Sequence, residues 1–282
     1  MAHLASRSPA GDFLRRHPTI VVGGILLLLV LLAAVFAPLI APDPIAFEPV
    51  NRLKPPSSSF WLGTDSLGRD VYARMVYGAR ISLIVGLAVA LVSVLAGTLI
   101  GLVSGYFARV DAVVMRLMDG IMAIPSILLA IALVALLGAS VKVVIIAIAI
   151  PEIPRVTRLV RSVVLSVRDL PYVEAARASG TPVGRILWRH ILPSTAAPLI
   201  VQATYICASA ILTEAGLSFL GAGTPVELPT WGNMIASSRL YLQIAPWTIF
   251  APGICLALVV LAVNLLGDGL RDRLDPRISR RM

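Results

Sequence analysis

Fifteen acidic residues, three histidines and two cysteines are the groups with which this 282-residue chain could do most kinds of chemistry. Glu152 is the acid that stands out, because it sits near the middle of an apolar stretch and between two prolines, in Pro151-Glu152-Ile153-Pro154. An ionisable side chain inside such a stretch is costly and commonly marks the path of a solute or ion. Two readings of it stand side by side. Glu152 lines a passage and meets an amino group of a passing solute, or the prolines break the helix and Glu152 pairs with an arginine of a neighbouring helix. The missing proline donors free backbone carbonyls, which is tolerated where protein or water surrounds them. Asp119 and Glu214 lie nearer the ends of other apolar stretches and read as helix-pairing groups.

The remaining reactive groups do not assemble. His3, His17 and His190 are far apart, and neither a Ser/His/Asp set nor a Cys/His metal spacing occurs. Cys207 and Cys255 both lie in apolar runs, where a thiol packs as a small hydrophobe. No GxxxxGK[ST] phosphate loop is present, and the only lysines, Lys54 and Lys142, are not in glycine-rich segments. Gly63-Thr64-Asp65 and Gly68-Arg69-Asp70 supply turn and capping chemistry ahead of an amphipathic helix on the outer face. Their carboxylates are too few for a calcium loop. The chain is therefore not expected to be an enzyme or to hold a cofactor or metal of its own.

The elements that would carry these residues follow from composition. The chain is 58% hydrophobic and 14% charged, against about 45–50% and 25% in soluble domains. A lipid bilayer, crossed by roughly 20 apolar residues at a time, accounts for the excess. Six segments qualify: Thr19–Ala41, Ile81–Phe107, Ala112–Gly138, Val141–Leu159, Thr195–Leu220 and Pro246–Leu266. The first is too long for a secretory signal and reads as a retained anchor. The expected fold is an all-α integral membrane protein with six transmembrane helices.

With the N-terminus inside, 17 of the 24 Lys and Arg residues fall on the inner side, so both termini are expected in the cytoplasm. The same bias explains the net charge of +9 without nucleic acid, since arginines beside apolar runs lack the aromatic platforms that single strands need. The chain divides into a cytoplasmic N-terminal segment, 1–18, and a membrane domain, 19–282. The latter contains outer loops at 42–80 and 221–245, a cytoplasmic stretch from about 160 to 194, and a cytoplasmic tail at 267–282.

That cytoplasmic stretch contains RDLPYVEAARASGTPVGRILWRHILPSTAAP. Small side chains at Ala175, Ala176 and Ala178 favour a helix and allow close approach. Gly180 can end it in a left-handed conformation. Thr181 as N-cap and Pro182 at the first helical position would start a second helix. Glu174-Ala175-Ala176, Gly180 and Ile191-Leu192-Pro193 resemble the EAA loop of ABC importer permeases. WLGTDSLGRDVYARMVYGARISL, TEAGLSFLGAGTPVELPTWGNMI and NLLGDGLRDRLDPR are similar to the second (C-type) permease subunit of the dipeptide/oligopeptide/nickel importer group.

The resemblance implies a permease subunit of an ATP-driven importer, multi-pass in the bacterial inner membrane, forming half of a pathway for di- or oligopeptides. A nickel chelate or another small solute is the alternative cargo. An ion-coupled secondary transporter would leave the EAA loop unexplained. The implied partners are a homologous second permease, two ATPase subunits or domains that bind the ATP and Mg, and an extracytoplasmic substrate-binding protein. Glu174 would make a polar contact with the ATPase, Ala175 and Ala176 would permit close packing, and Gly180 would set the angle. Ile191 and Pro193 complete the loop, and Asp119 and Glu214 would pair with the sister permease.

Overall fold

The structure is a computed structural model describing residues 18–274. The expected N-terminal segment, all but Pro18, and the tail beyond Leu274, with His3 and His17, lie outside the described residues. Among the described residues every regular element is helical. In chain order these are α1 (Pro18–Val35), α2 (Ala37–Ile40), α3 (Val71–Tyr106), α4 (Ala108–Met122), α5 (Ser126–Leu137), α6 (Val141–Val167), α7 (Pro171–Ala178), α8 (Val183–Ile186), α9 (Leu192–Phe219), α10 (Trp231–Ser238) and α11 (Trp247–Leu274). Four helical stretches are long and apolar enough to cross a membrane, and a fifth counts if α4 and α5 are one bent span.

The centre of the bundle is a seam between α3 and α6. Gly97, Gly101 and Gly105 recur every fourth residue on α3 and face Val156, Val160 and Val164 of α6. An ideal Cβ on Gly101 would lie 2.7 Å from the Val160 Cβ and 2.8 Å from the Thr157 carbonyl oxygen. Only glycine lets the two backbones come this close, which is how membrane helices gain dispersion contact without a hydrophobic drive between them. Ser93 continues the seam, donating to the Ala149 carbonyl at 3.3 Å. Contacts advance in the same direction along both helices, so α3 and α6 run parallel. The chain between them must return from one end of the bundle to the other.

That return is α4 and α5, which meet at 86° across Ala123–Pro125. The expected single span Ala112–Gly138 is thus a bent pair: Pro125 cannot donate to the helical ladder. At α6 the expectation of a break fails. Pro151 and Pro154 lie inside one continuous helix of 27 residues. Both prolines are buried, and the glycine seam holds the helix on either side of them. Charges at Lys142, Glu152, Arg155, Arg158 and Arg161 keep α6 from standing out as a span by composition.

The helix expected to lie on the outer face ahead of the second span is continuous with it. Asp70 caps α3, accepting from the Tyr72 and Ala73 amides. Burial pushes the Asp70 carboxyl up from its ordinary range, and those two amides pull it back. Before it, Asp65 accepts from the Leu67 amide at 2.8 Å, the Arg69 amide at 3.0 Å and Arg69 Nε at 2.7 Å. Gly63 and Gly68 take positive φ, 70° and 78°, and close the turns around it. Trp247 at the start of α11 donates to the Thr64 carbonyl at 3.2 Å. This end of α3 and the start of α11 therefore share one end of the bundle. α1 packs against α11, with Gly23 near Ala262 and Leu266 and Gly269 near Thr19 and Ile20, so these two helices are antiparallel.

Gly101→Val is expected to destabilise the folded permease by about 1–3 kcal/mol, the cost of overpacking a tight contact. Gly120→Ala, at a position with no heavy atom within 4 Å of an added Cβ, should leave it unchanged or slightly stabilised. Thermal unfolding in detergent compares the two.

Candidate functional site

The glycine seam ends where the chain leaves the bundle. Past α6, Arg168 Nη1 donates to the Gly105 carbonyl at 3.0 Å, tying the start of the hairpin to the last glycine of the seam. α7 then begins with Pro171 at its first position, where a missing amide costs nothing. Glu174 in its first turn and Arg177 in its last complement the helix dipole. The Arg177 guanidinium lies over the Tyr106 ring, 5.6 Å from its centroid, a second tie to the end of α3.

Gly180 ends α7 as expected, with φ of 76°. Its amide donates to the Arg177 carbonyl and the Thr181 amide to the Ala176 carbonyl, both at 3.0 Å. This reciprocal pair of bonds satisfies the last carbonyls of a helix closed by a left-handed residue. The expected Thr181 cap is corrected: the Pro182 carbonyl accepts from the Arg185 and Ile186 amides, at 2.9 and 3.1 Å, so Pro182 takes the N-cap position and α8 begins at Val183. From α8 a single π-helical turn, Leu187–Ile191, leads into α9, making one 37-residue helical stretch from Val183 to Phe219.

The hairpin has two faces. Val173, Ala176, Ile186 and Ile191 are buried in the core of the bundle. Glu174, Ala175, Gly180 and Pro193 are exposed. The six loop residues singled out by sequence are thus divided, with Ala176 and Ile191 anchoring and the other four at the surface. Trp188, 66% exposed, and Tyr172 widen that surface. Sequence reading passed over Trp188, although a lone tryptophan in a basic polar loop is a usable signal.

A second charged locus lies on α6. Glu152 is buried, and its partner is Arg155 one turn away on the same helix, Nη1 to Oε1 at 2.9 Å. This corrects the reading in which Glu152 meets an arginine of a neighbouring helix. Two arginines further along α6 do cross to α4: Arg158 pairs with Asp119, and Arg161 makes a two-pronged contact with Asp111, Nη2 to Oδ2 at 2.6 Å. Asp119 thus finds its partner within the chain. Neither helix by itself announces these pairs, because the partners lie 39 and 50 residues apart in sequence.

Glu214 also finds partners at home. It is buried near the end of α9, where Ser218 donates to Oε1 at 2.9 Å and Thr224 at 3.2 Å. Asn233 of α10 donates to the Thr224 and Pro225 carbonyls, extending the network across the loop after α9. Among the described residues no three His, Cys, Asp or Glu side chains converge as a metal-ligand group.

The chain belongs to the family described as binding-protein-dependent transport system inner membrane component, which matches residues 93–280. Residues 8–56 match the N-terminal transmembrane domain of oligopeptide transport permease C. It is 62% identical over 267 residues to a probable peptide ABC transporter permease, y4tQ, of Sinorhizobium fredii, covering 95% of this chain and 92% of that one. It is 47% identical over 268 residues to the dipeptide transport system permease DppC of Alkalihalophilus pseudofirmus, covering 94% and 88%. Its fold matches a chain of the inward-facing methionine ABC transporter MetNI, with a TM-score of 0.52 at 20% identity, over 68% of this chain and 94% of that one. The chain is a multi-pass permease of the bacterial inner membrane.

An added Cβ on Gly180 meets no heavy atom within 4 Å, so substitution there costs backbone strain alone. Gly180→Ala and Gly180→Val are expected to weaken the turn by about 1–2 kcal/mol, and Gly180→Asn by less, because Asn tolerates the left-handed region. Amide hydrogen exchange should show protection at residues 180 and 181 falling in that order.

Proposed function

We propose that the chain is the second permease of a heterodimeric ATP-driven importer for di- or oligopeptides, and that its α7–α8 hairpin is where ATPase motion enters the membrane. The observation that carries this reading is the two-faced hairpin: a buried face of Val173, Ala176, Ile186 and Ile191 under an exposed face bearing Glu174 and Ala175. Peptide cargo rests on the named substrates of the relatives. The chain carries no phosphate loop of its own, so partner subunits would bind the ATP and Mg. A homologous permease would form the other half of the passage, and an extracytoplasmic binding protein would deliver the solute.

In this reading α1, α3, the bent pair α4–α5, α6, α9 and α11 make six crossings. The arginine bias supports a cytoplasmic hairpin and cytoplasmic termini. Glu174 contacts the ATPase, Ala175 lets its surface come close, and Gly180 sets the angle between the two short helices. Ala176 and Ile191 pass the load inward, and Pro193 sits in the first turn of α9. Because Val183–Phe219 is one stretch, a pull on the hairpin turns a rod that reaches the Glu214 network at the opposite end. ATP-driven closure of the ATPases would thereby open the outer mouth.

The test is uptake of di-, tri- and longer peptides by cells with this chain, without it, or with Glu174→Arg. Selective loss of one peptide length class in both altered strains is expected, with the variant complex still assembled. Gly180→Val should reduce transport per ATP hydrolysed. Unchanged uptake of every peptide, with redundant importers removed, would overturn peptide as cargo and direct the assay to nickel chelates or other small solutes. Normal coupling in Glu174→Arg would overturn the role of the hairpin.

A further inference from the structure

On α6, Arg155, Arg158, Ser162 and Ser166 are exposed, and their spacing of three, seven and eleven residues puts them on one face. A groove of about 650 Å³ borders that face at Leu159 and is lined also by Ser194, Gln202 and Arg271 among others. Elsewhere the bundle exposes large apolar side chains such as Leu91, Leu95, Leu99 and Leu261, as a lipid-facing surface does. An arginine facing hydrocarbon is costly on every scale of membrane insertion, so the α6 face belongs to a wet passage rather than to lipid.

The three arginines of this half of α6 are not equivalent. Arg158 and Arg161 are committed to Asp119 and Asp111 of α4. Arg155 is held only from behind. Its Nη1 contacts both Glu152 oxygens, at 2.9 and 3.3 Å, while its side chain stays 42% exposed and that of Glu152 only 8%. The guanidinium has five N–H donors, and those of Nε and Nη2 remain for a ligand in front. The group that reaches the passage is therefore the cation and not the Glu152 carboxylate.

We propose that Arg155, braced by Glu152, is a station in the passage that takes the C-terminal carboxylate of the transported peptide. The proposal rests on the peptide-importer reading above and adds to it the end of the solute that is held. Guanidinium and carboxylate match as planar donor and acceptor pairs. Partial neutralisation by Glu152 keeps the hold weak enough for release, as conduction requires. Glu152 is a positioning residue here, fixing the arginine without meeting the solute.

The test uses the complete transporter in proteoliposomes with its binding protein, and the probes are trialanine and trialanine amide. Arg155→Gln should lower trialanine uptake about tenfold, as befits one lost charge-assisted hydrogen bond, and change amide uptake by less than about twofold. Arg155→Lys should restore most of the trialanine rate. The binding protein is common to all samples, so its own preference cancels between variant and parent. As a second measurement, Arg155→Cys in a Cys207→Ala, Cys255→Ala background should react with an impermeant thiosulfonate, and trialanine should slow the reaction. Equal losses for both probes, no loss for either, or an Arg155→Cys variant that does not react would overturn the station while leaving peptide import standing. Failure of the parent transporter to take up trialanine or any other peptide would overturn the importer reading, and the station with it.

Discussion

The close approach of α3 and α6 is the constraint on which the rest of the bundle depends. Gly97, Gly101 and Gly105 place one backbone against the Val156, Val160 and Val164 side chains of the other. Because both helices run the same way, the chain between them must cross back, and α4–α5 does so with its 86° bend. The same seam holds α6 as one continuous helix through Pro151 and Pro154. In lipid there is no hydrophobic gain in bringing helices together, so contact of this closeness has to supply the cohesion.

Polar groups are placed where the seam leaves room for them. The Arg158–Asp119 and Arg161–Asp111 pairs zip α4 to α6 toward the hairpin end. At the other end Asp65 and Arg69 form a buried pair at 2.7 Å, and Glu214 is enclosed by hydroxyl donors. Each set closes an end of the bundle with directional contacts, while the middle is held by packing. Such an arrangement suits a body that moves as rigid pieces, since packed interfaces shift between discrete arrangements more readily than they deform.

The end of α7 is satisfied by backbone bonds and by Ser179 Oγ, which donates to the Ala175 carbonyl at 2.8 Å. Gly180 and Thr181 close α7, and α8 runs through one π turn into α9. π turns interrupt α-helices mostly where a function makes them worth keeping, and this one carries Trp188 to the surface. The hairpin thus has buried roots in the bundle, and Arg168 and Arg177 tie it to Gly105 and Tyr106 of α3.

Much of this was legible in the residues themselves. Apolar run lengths located four of the candidate spans and the bent pair, and the charge bias suggested an orientation. Gly180 announced its left-handed turn, Asp70 its cap, and the spaced glycines their close packing, because each depends on local stereochemistry that only a few residue types satisfy. What depends on partners distant in sequence was not legible. Whether Pro151 and Pro154 break α6 is decided by the helix packed against it, and whether α8 starts from Thr181 or Pro182 by which carbonyl takes its first amide. Glu152 could be recognised as a buried acid, yet which of Glu152 and Arg155 reaches the surface is fixed by the turn of α6 against α3 and α4. Sequence determined the elements and the groups they carry; tertiary structure decided which groups meet, since a helix presents every side chain somewhere and only its neighbours choose which are covered.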